Sequence, residues 1–109
     1  MPMLTAIIID DELKSREGLE AMLHNLIEGV SVVAMADSVT SGVKAIAKNK
    51  PDIVFLDVEM PRRDGFELFD AFDKIDFEVV FTTAHEQYAS KAFRTTAIDY
   101  LLKPIDIDL

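Results

Sequence analysis

The chain has 109 residues, half of them hydrophobic, with a formal net charge of −9 and no cysteine. That length and apolar fraction fit one domain with one core and exclude disorder, while the missing thiols exclude disulfides and thiolate metal sites and agree with a reducing cytoplasm. An acidic surface repels phosphate backbones, which makes this segment a poor candidate for holding DNA by itself, and neither a secretory leader nor an apolar run of ~18 residues is present.

In chain order, short apolar runs alternate with segments of helical period. Ala6-Ile7-Ile8-Ile9 reads as a strand, and Leu19, Met22, Leu23, Leu26 and Ile27 then recur at the spacing of an amphipathic helix over roughly Leu13–Glu28. Val30–Ala36 reads as a second strand; Val39, Val43, Ile46 and Ala47 line one face of a second helix that must stop before Pro51. Ile53–Leu56 is a third strand, Phe66, Phe69 and Phe72 stripe a third helix from near Asp64, and Glu78–Thr82 is a fourth strand. Tyr88, Ala89, Ala92 and Phe93 stripe a fourth helix, and Ile98–Leu102 is a fifth strand closed by Lys103-Pro104.

Strands alternating with helices predict an α/β, doubly wound, five-stranded parallel sheet with helices on both faces. Continuous apolar strands say the same, because parallel sheets are buried on both sides. Only Ile105–Leu109 follow Pro104, too few for the helix that should cover strand five. The last helix is therefore expected to be missing or truncated, through a cut fragment or a gap covered by another chain.

Ligands of open parallel sheets bind outside the carboxyl ends of the strands. Asp10, Asp11 and Glu12 follow strand one, Asp57 follows strand three, Thr82 and Thr83 end strand four, and Lys103 ends strand five. Two like charges about 4 Å apart cost roughly 1 kcal/mol in water and about 4 at an effective dielectric near 20. Crowded carboxylates therefore call for cations: Lys103 is one, and all-oxygen donors select Mg²⁺ or a similar hard ion. Asp57, the lone acid at its strand end, is then placed to act as a nucleophile toward phosphorus.

With "IIIDDE" at 7–12, "IVFLDVEMPRRDG" at 53–65, "VVFTTAH" at 79–85 and "DYLLKP" at 99–104, the chain resembles the receiver domain of bacterial two-component response regulators. The segment "FTTAHEQYASKAFRTTAIDYLLKPID" resembles receivers of the LytTR type, whose C-terminal half would be a DNA-binding output domain. The resemblance implies a flavodoxin-like strand order 2-1-3-4-5 and a receiver domain over residues 1–109. It implies Asp57 as phosphoacceptor, with Mg²⁺ on Asp10, Asp11, Asp57 and the backbone carbonyl of Glu59. Thr83, Ala84 and Lys103 would bind the phosphoryl group, with Thr83 and Tyr100 as switch residues and a Lys103-Pro104 bond that is often cis in the family. The implied partners are a cognate histidine kinase and a second copy in a homodimer, with DNA reached only through a missing domain and no membrane. The protein would be a cytoplasmic switch rather than an enzyme. Arg63, where an apolar residue is usual, Glu59 beside the acceptor, and the absent last helix depart from the family pattern.

Plainer readings compete residue by residue. Asp11 and Glu12 suit the positive end of a helix, Thr83 with Glu86 is a capping-box pattern, and Lys103 and Tyr100 taken singly read as a solvated lysine and a core aromatic. His24 reads as a surface residue and His85 borders the site without a role; Arg62-Arg63 read as solvated, Pro61 as a loop stiffener, and the phenylalanine stripe as core. Gly65 reads as a turn that other residues resist. The rival functions are a metal-dependent phosphatase of the haloacid-dehalogenase type, echoed by "DVE" at 57–59, and an interaction module that works without phosphorylation.

Overall fold

The computed structural model describes residues 3–58, 60, 65–83 and 99–102. The elements are β1 (Leu4–Ile9), α1 (Leu13–Leu26), β2 (Val30–Ala36), α2 (Val39–Asn49), β3 (Ile53–Asp57), a 3₁₀ segment (Gly65–Ala71), β4 (Glu78–Thr83) and β5 (Asp99–Leu102). The strands form one parallel sheet in the order β2-β1-β3-β4-β5, the predicted order. The fourth helix expected around Tyr88–Phe93 lies outside the described residues. None of the described helices is long and apolar enough to cross a membrane.

Alternation that the apolar runs hide becomes visible once the sheet is built. Ile7, Ile9, Val54, Leu56, Val79 and Phe81 join one buried cluster, with Val39 and Ile46 of α2 and with Leu68. Ala6, Ile8 and Phe55 join a second, with Leu19 and Leu23 of α1. Each fully buried aliphatic side chain of this kind contributes about 1.5–3 kcal/mol, which is why strands apolar on both sides belong in the middle of the sheet. The edge strand β2 behaves differently. Ala6 pairs with Val32 but Ile7 pairs with Ala34, so Val33 is a bulge and is 41% exposed. The extra residue reverses the pleat: Val30 and Val32 pack toward α1, whereas Ala34 and Ala36 pack on the α2 side.

Three expectations need correction. The first helix ends at Leu26, two residues short of Glu28, where the backbone turns extended at Ile27. In α2 Val39, Gly42 and Ile46 are buried and Val43 packs against the same cluster, but Ala47 is exposed. Gly42 is there because the helix presses on Ile9: a Cβ would stand 2.6 Å from the Ile9 Cδ1. The third helix is 3₁₀ rather than α. Its phenylalanines recur every three residues, which is the 3₁₀ repeat and not the α repeat. Among its described side chains Leu68 is fully buried, and Phe69 and Phe72 pack half-buried against the core as expected, meeting Phe81 and Phe77 edge-on at centroid distances of 5.9 and 5.7 Å. α2 starts on a capping box: the Ser38 hydroxyl accepts the Ser41 N–H at 3.1 Å and the Ser41 hydroxyl accepts the Ser38 N–H at 3.2 Å.

Candidate metal and phosphoryl site

Parallel pairing decides what meets at the carboxyl rim. Ile9 lies opposite Leu56, so the next residues, Asp10 and Asp57, leave neighbouring strands side by side. Asp57 in turn lies opposite Thr82 of β4, and both are 2% exposed. The ladder extends past the strand ends on both sides. The Asp10 N–H donates to the Ala36 carbonyl at 3.0 Å, and the Val58 N–H donates to the Thr82 carbonyl at 3.1 Å. Neither acid sits on a loose loop.

The turn after β1 is built around Asp10, which is 4% exposed. Its carboxylate accepts the Glu12 N–H at 3.0 Å, and its carbonyl accepts Nη1 of Arg16, one turn into α1, at 2.8 Å. Glu12 is the N-cap of α1 without a side-chain capping bond, so the plainer helix-end reading holds for its position and not for any hydrogen bond. This turn brings Asp11 to the same rim, on its solvent side. One carboxylate oxygen each from Asp10, Asp11 and Asp57 lie within 4.8 Å of one another. At that spacing three negative charges repel by about 1 kcal/mol per pair in water and more where water is excluded. A hard divalent cation suits the cluster: every donor is a carboxylate oxygen, and no nitrogen or sulfur ligand is among them.

The remaining sequence-predicted residues are less fully defined. Thr83 ends β4, paired with Leu102, and Tyr100 is paired with Phe81 on β5. Their expected side-chain roles, with Glu59, Ala84, Lys103, the Lys103-Pro104 bond, Arg62-Arg63 and His85, lie outside the described residues. His24 is exposed on α1, as read from its position. Arg16 escaped the sequence reading; the available signal was a cation one helical turn beyond an acidic pair. The role of Gly65 is corrected. What requires glycine there is space, since a Cβ would collide with the Asp57 carbonyl oxygen and lie 3.0 Å from its carbonyl carbon.

Comparison with known proteins agrees with this geometry. The family model "Response regulator receiver domain" matches residues 6–109. An uncharacterized response regulatory protein of Vibrio cholerae is 45% identical over 107 residues, which are 97% of this chain and 45% of that protein. The sensory transduction protein LytT of Bacillus anthracis is 41% identical over 106 residues, 95% of this chain and 43% of that protein, in keeping with the LytTR type. The chain thus spans less than half the length of these relatives. Among solved structures, a chain of the CheX–CheY–BeF3–Mg²⁺ complex from Borrelia burgdorferi superposes with a TM-score of 0.82 at 25% identity, covering 94% of this chain and 80% of that one.

Proposed function

Because the chain belongs to the response regulator receiver domain family, we propose that it is a phosphorylation-driven switch that accepts a phosphoryl group on Asp57 from the phospho-histidine of a partner kinase. A carboxylate oxygen of Asp57 attacks phosphorus. The O–P bond forms as the P–N bond breaks, the imidazole keeps the electron pair, and Asp57 carries an acyl phosphate. The observation that carries this reading is the meeting of three carboxylates at one rim, with Asp57 buried and held by strand pairing on β4.

Asp10, Asp11 and Asp57 fit Mg²⁺ through their oxygen donors, and the family resemblance adds the Glu59 carbonyl as the ligand that would complete the set. When bound, the ion supplies positive charge that offsets the carboxylates and the incoming phosphoryl oxygens. The chain's own residues do the rest. Asp10 and Asp57 are held by the ladder, so little reorganisation is needed at the moment of transfer. Lys103, the Thr83 hydroxyl and Ala84 receive the phosphoryl oxygens, Tyr100 follows Thr83 inward, and the surface of the fourth helix and β5 changes partner affinity. Two charge-assisted contacts of this kind supply roughly 3–6 kcal/mol, enough to move a two-state balance from mostly off to mostly on.

The protein is a stoichiometric switch in this reading, and not a phosphatase. The output is transcription, through a DNA-binding part in the length by which the relatives exceed this chain; support comes from the LytT relative and from the acidic charge, which leaves DNA contact to another domain. The test is incubation with Mg²⁺ and acetyl phosphate. The parent takes up about one phosphoryl group per chain without turning over p-nitrophenyl phosphate, and equal uptake by Asp57→Asn would end the proposal.

A further inference from the structure

We propose that Gly65 is a positioning residue for Asp57, an inference that rests on the acceptor role assigned to Asp57 above. Val58, the residue that follows the acceptor, is gripped from two sides. On the β4 side the Val58 N–H donates to the Thr82 carbonyl at 3.1 Å; on the other the Gly65 N–H donates to the Val58 carbonyl at 2.6 Å. The Gly65 Cα lies so close that a side chain would collide with the Asp57 carbonyl oxygen. It would also stand 3.0 Å from the Asp57 carbonyl carbon and 3.1 Å from the Val58 Cα.

Those three atoms are all backbone, so no rotamer change relieves the clash. Asp57 is 2% exposed and Val58 is fully buried, so the peptide has nowhere to retreat. The bond to Thr82 holds the Val58 N–H in place, so the clash is relieved by rotation of the Asp57–Val58 peptide about that anchor, with its Asp57 carbonyl pushed aside. Turning that peptide swings the Asp57 carboxylate, which has to stay within 4.8 Å of Asp10 and Asp11. Gly65 thus does for the acceptor what a hydrogen-bonding neighbour does for a metal ligand: it fixes the direction in which the ligand points.

Gly42 supplies the contrast. A Cβ there would press on the Ile9 side chain, at 2.6 Å from Cδ1 and 3.2 Å from Cγ1, and so on the core rather than on the site backbone. Both substitutions are expected to lower stability; only one is expected to change the chemistry. Gly65→Ala should weaken binding of Mg²⁺ alone, read by calorimetry on the folded fraction, by about tenfold or more, and slow phosphoryl uptake from acetyl phosphate in parallel. Gly42→Ala should lower the urea midpoint and keep the parent's Mg²⁺ affinity. Parent-like affinity in Gly65→Ala overturns the proposal, as does an equal loss in both variants.

A measurement on the unsubstituted chain covers the case in which Gly65→Ala does not fold. Coupling is reciprocal, so Mg²⁺ must stabilise the Gly65–Val58 contact as much as that contact favours Mg²⁺. Amide exchange at Gly65 should slow on adding Mg²⁺, while exchange at Gly42 should not; no selective change at Gly65 overturns the proposal. If the parent itself neither binds Mg²⁺ nor takes up phosphorus, the acceptor reading fails and takes this inference with it. If the parent does both and Gly65→Ala matches it, only the role of Gly65 is lost.

Discussion

Strand β3 is bracketed by two aspartates that meet opposite company. Asp52, just before the strand, is exposed, and its carboxylate is surrounded by donors: the Thr5 N–H at 2.8 Å and the Thr5 hydroxyl at 3.2 Å. Its backbone completes the stitch, donating to the Thr5 carbonyl and accepting from the Glu78 N–H, each at 2.9 Å. One residue thereby ties the starts of β1, β3 and β4. Asp57, at the other end of the strand, is buried, and carboxylate oxygens of Asp10 and Asp11 lie within 4.8 Å of one of its own. A carboxylate among donors holds a fold together, and one that is crowded by other carboxylates favours a cation. The same side chain at the two ends of one strand thus serves architecture at one rim and, in the proposed function, chemistry at the other.

That contrast can be broken or sharpened by measurement. The largest effect belongs to Asp57→Asn, which should reduce phosphoryl incorporation to background in a mass-spectrometric assay with Mg²⁺ and acetyl phosphate. Next comes Mg²⁺ itself. At about a hundred times its dissociation constant it should stabilise the parent by about 2.7 kcal/mol in urea unfolding, and Asp11→Asn should erode most of that gain. Without divalent ions Asp11→Asn should instead be slightly more stable than the parent, because a like-charge contact is relieved. Asp52→Ala should cost about 1–2 kcal/mol in the same unfolding experiment and leave Mg²⁺ affinity unchanged; a loss of metal binding there would show that the two rims are not independent. The smallest effect, about 1 kcal/mol, is expected for Ser38→Ala, which removes the cap of α2 and should alter the midpoint without touching phosphoryl uptake.

The amino-acid sequence by itself determined the alternation of elements, the parallel sheet and the acidic rim. These rest on short-range information: apolar runs of strand length, helical periods between them, and acids set directly after the runs. Once right-handed crossovers are required, strand ends of one polarity share a rim, and Asp10, Asp11 and Asp57 must approach one another. Tertiary structure alone decided the pleat reversal at Val33, the full burial of Leu68, and the reach of Arg16 to the Asp10 carbonyl. It also decided why residue 65 is glycine and why Asp52 is bound to a threonine 47 residues away. Each of these depends on the register and spacing of segments remote along the chain, where a shift of one residue or a few tenths of an ångström changes the outcome. Periodicity within a segment carries no record of that distance.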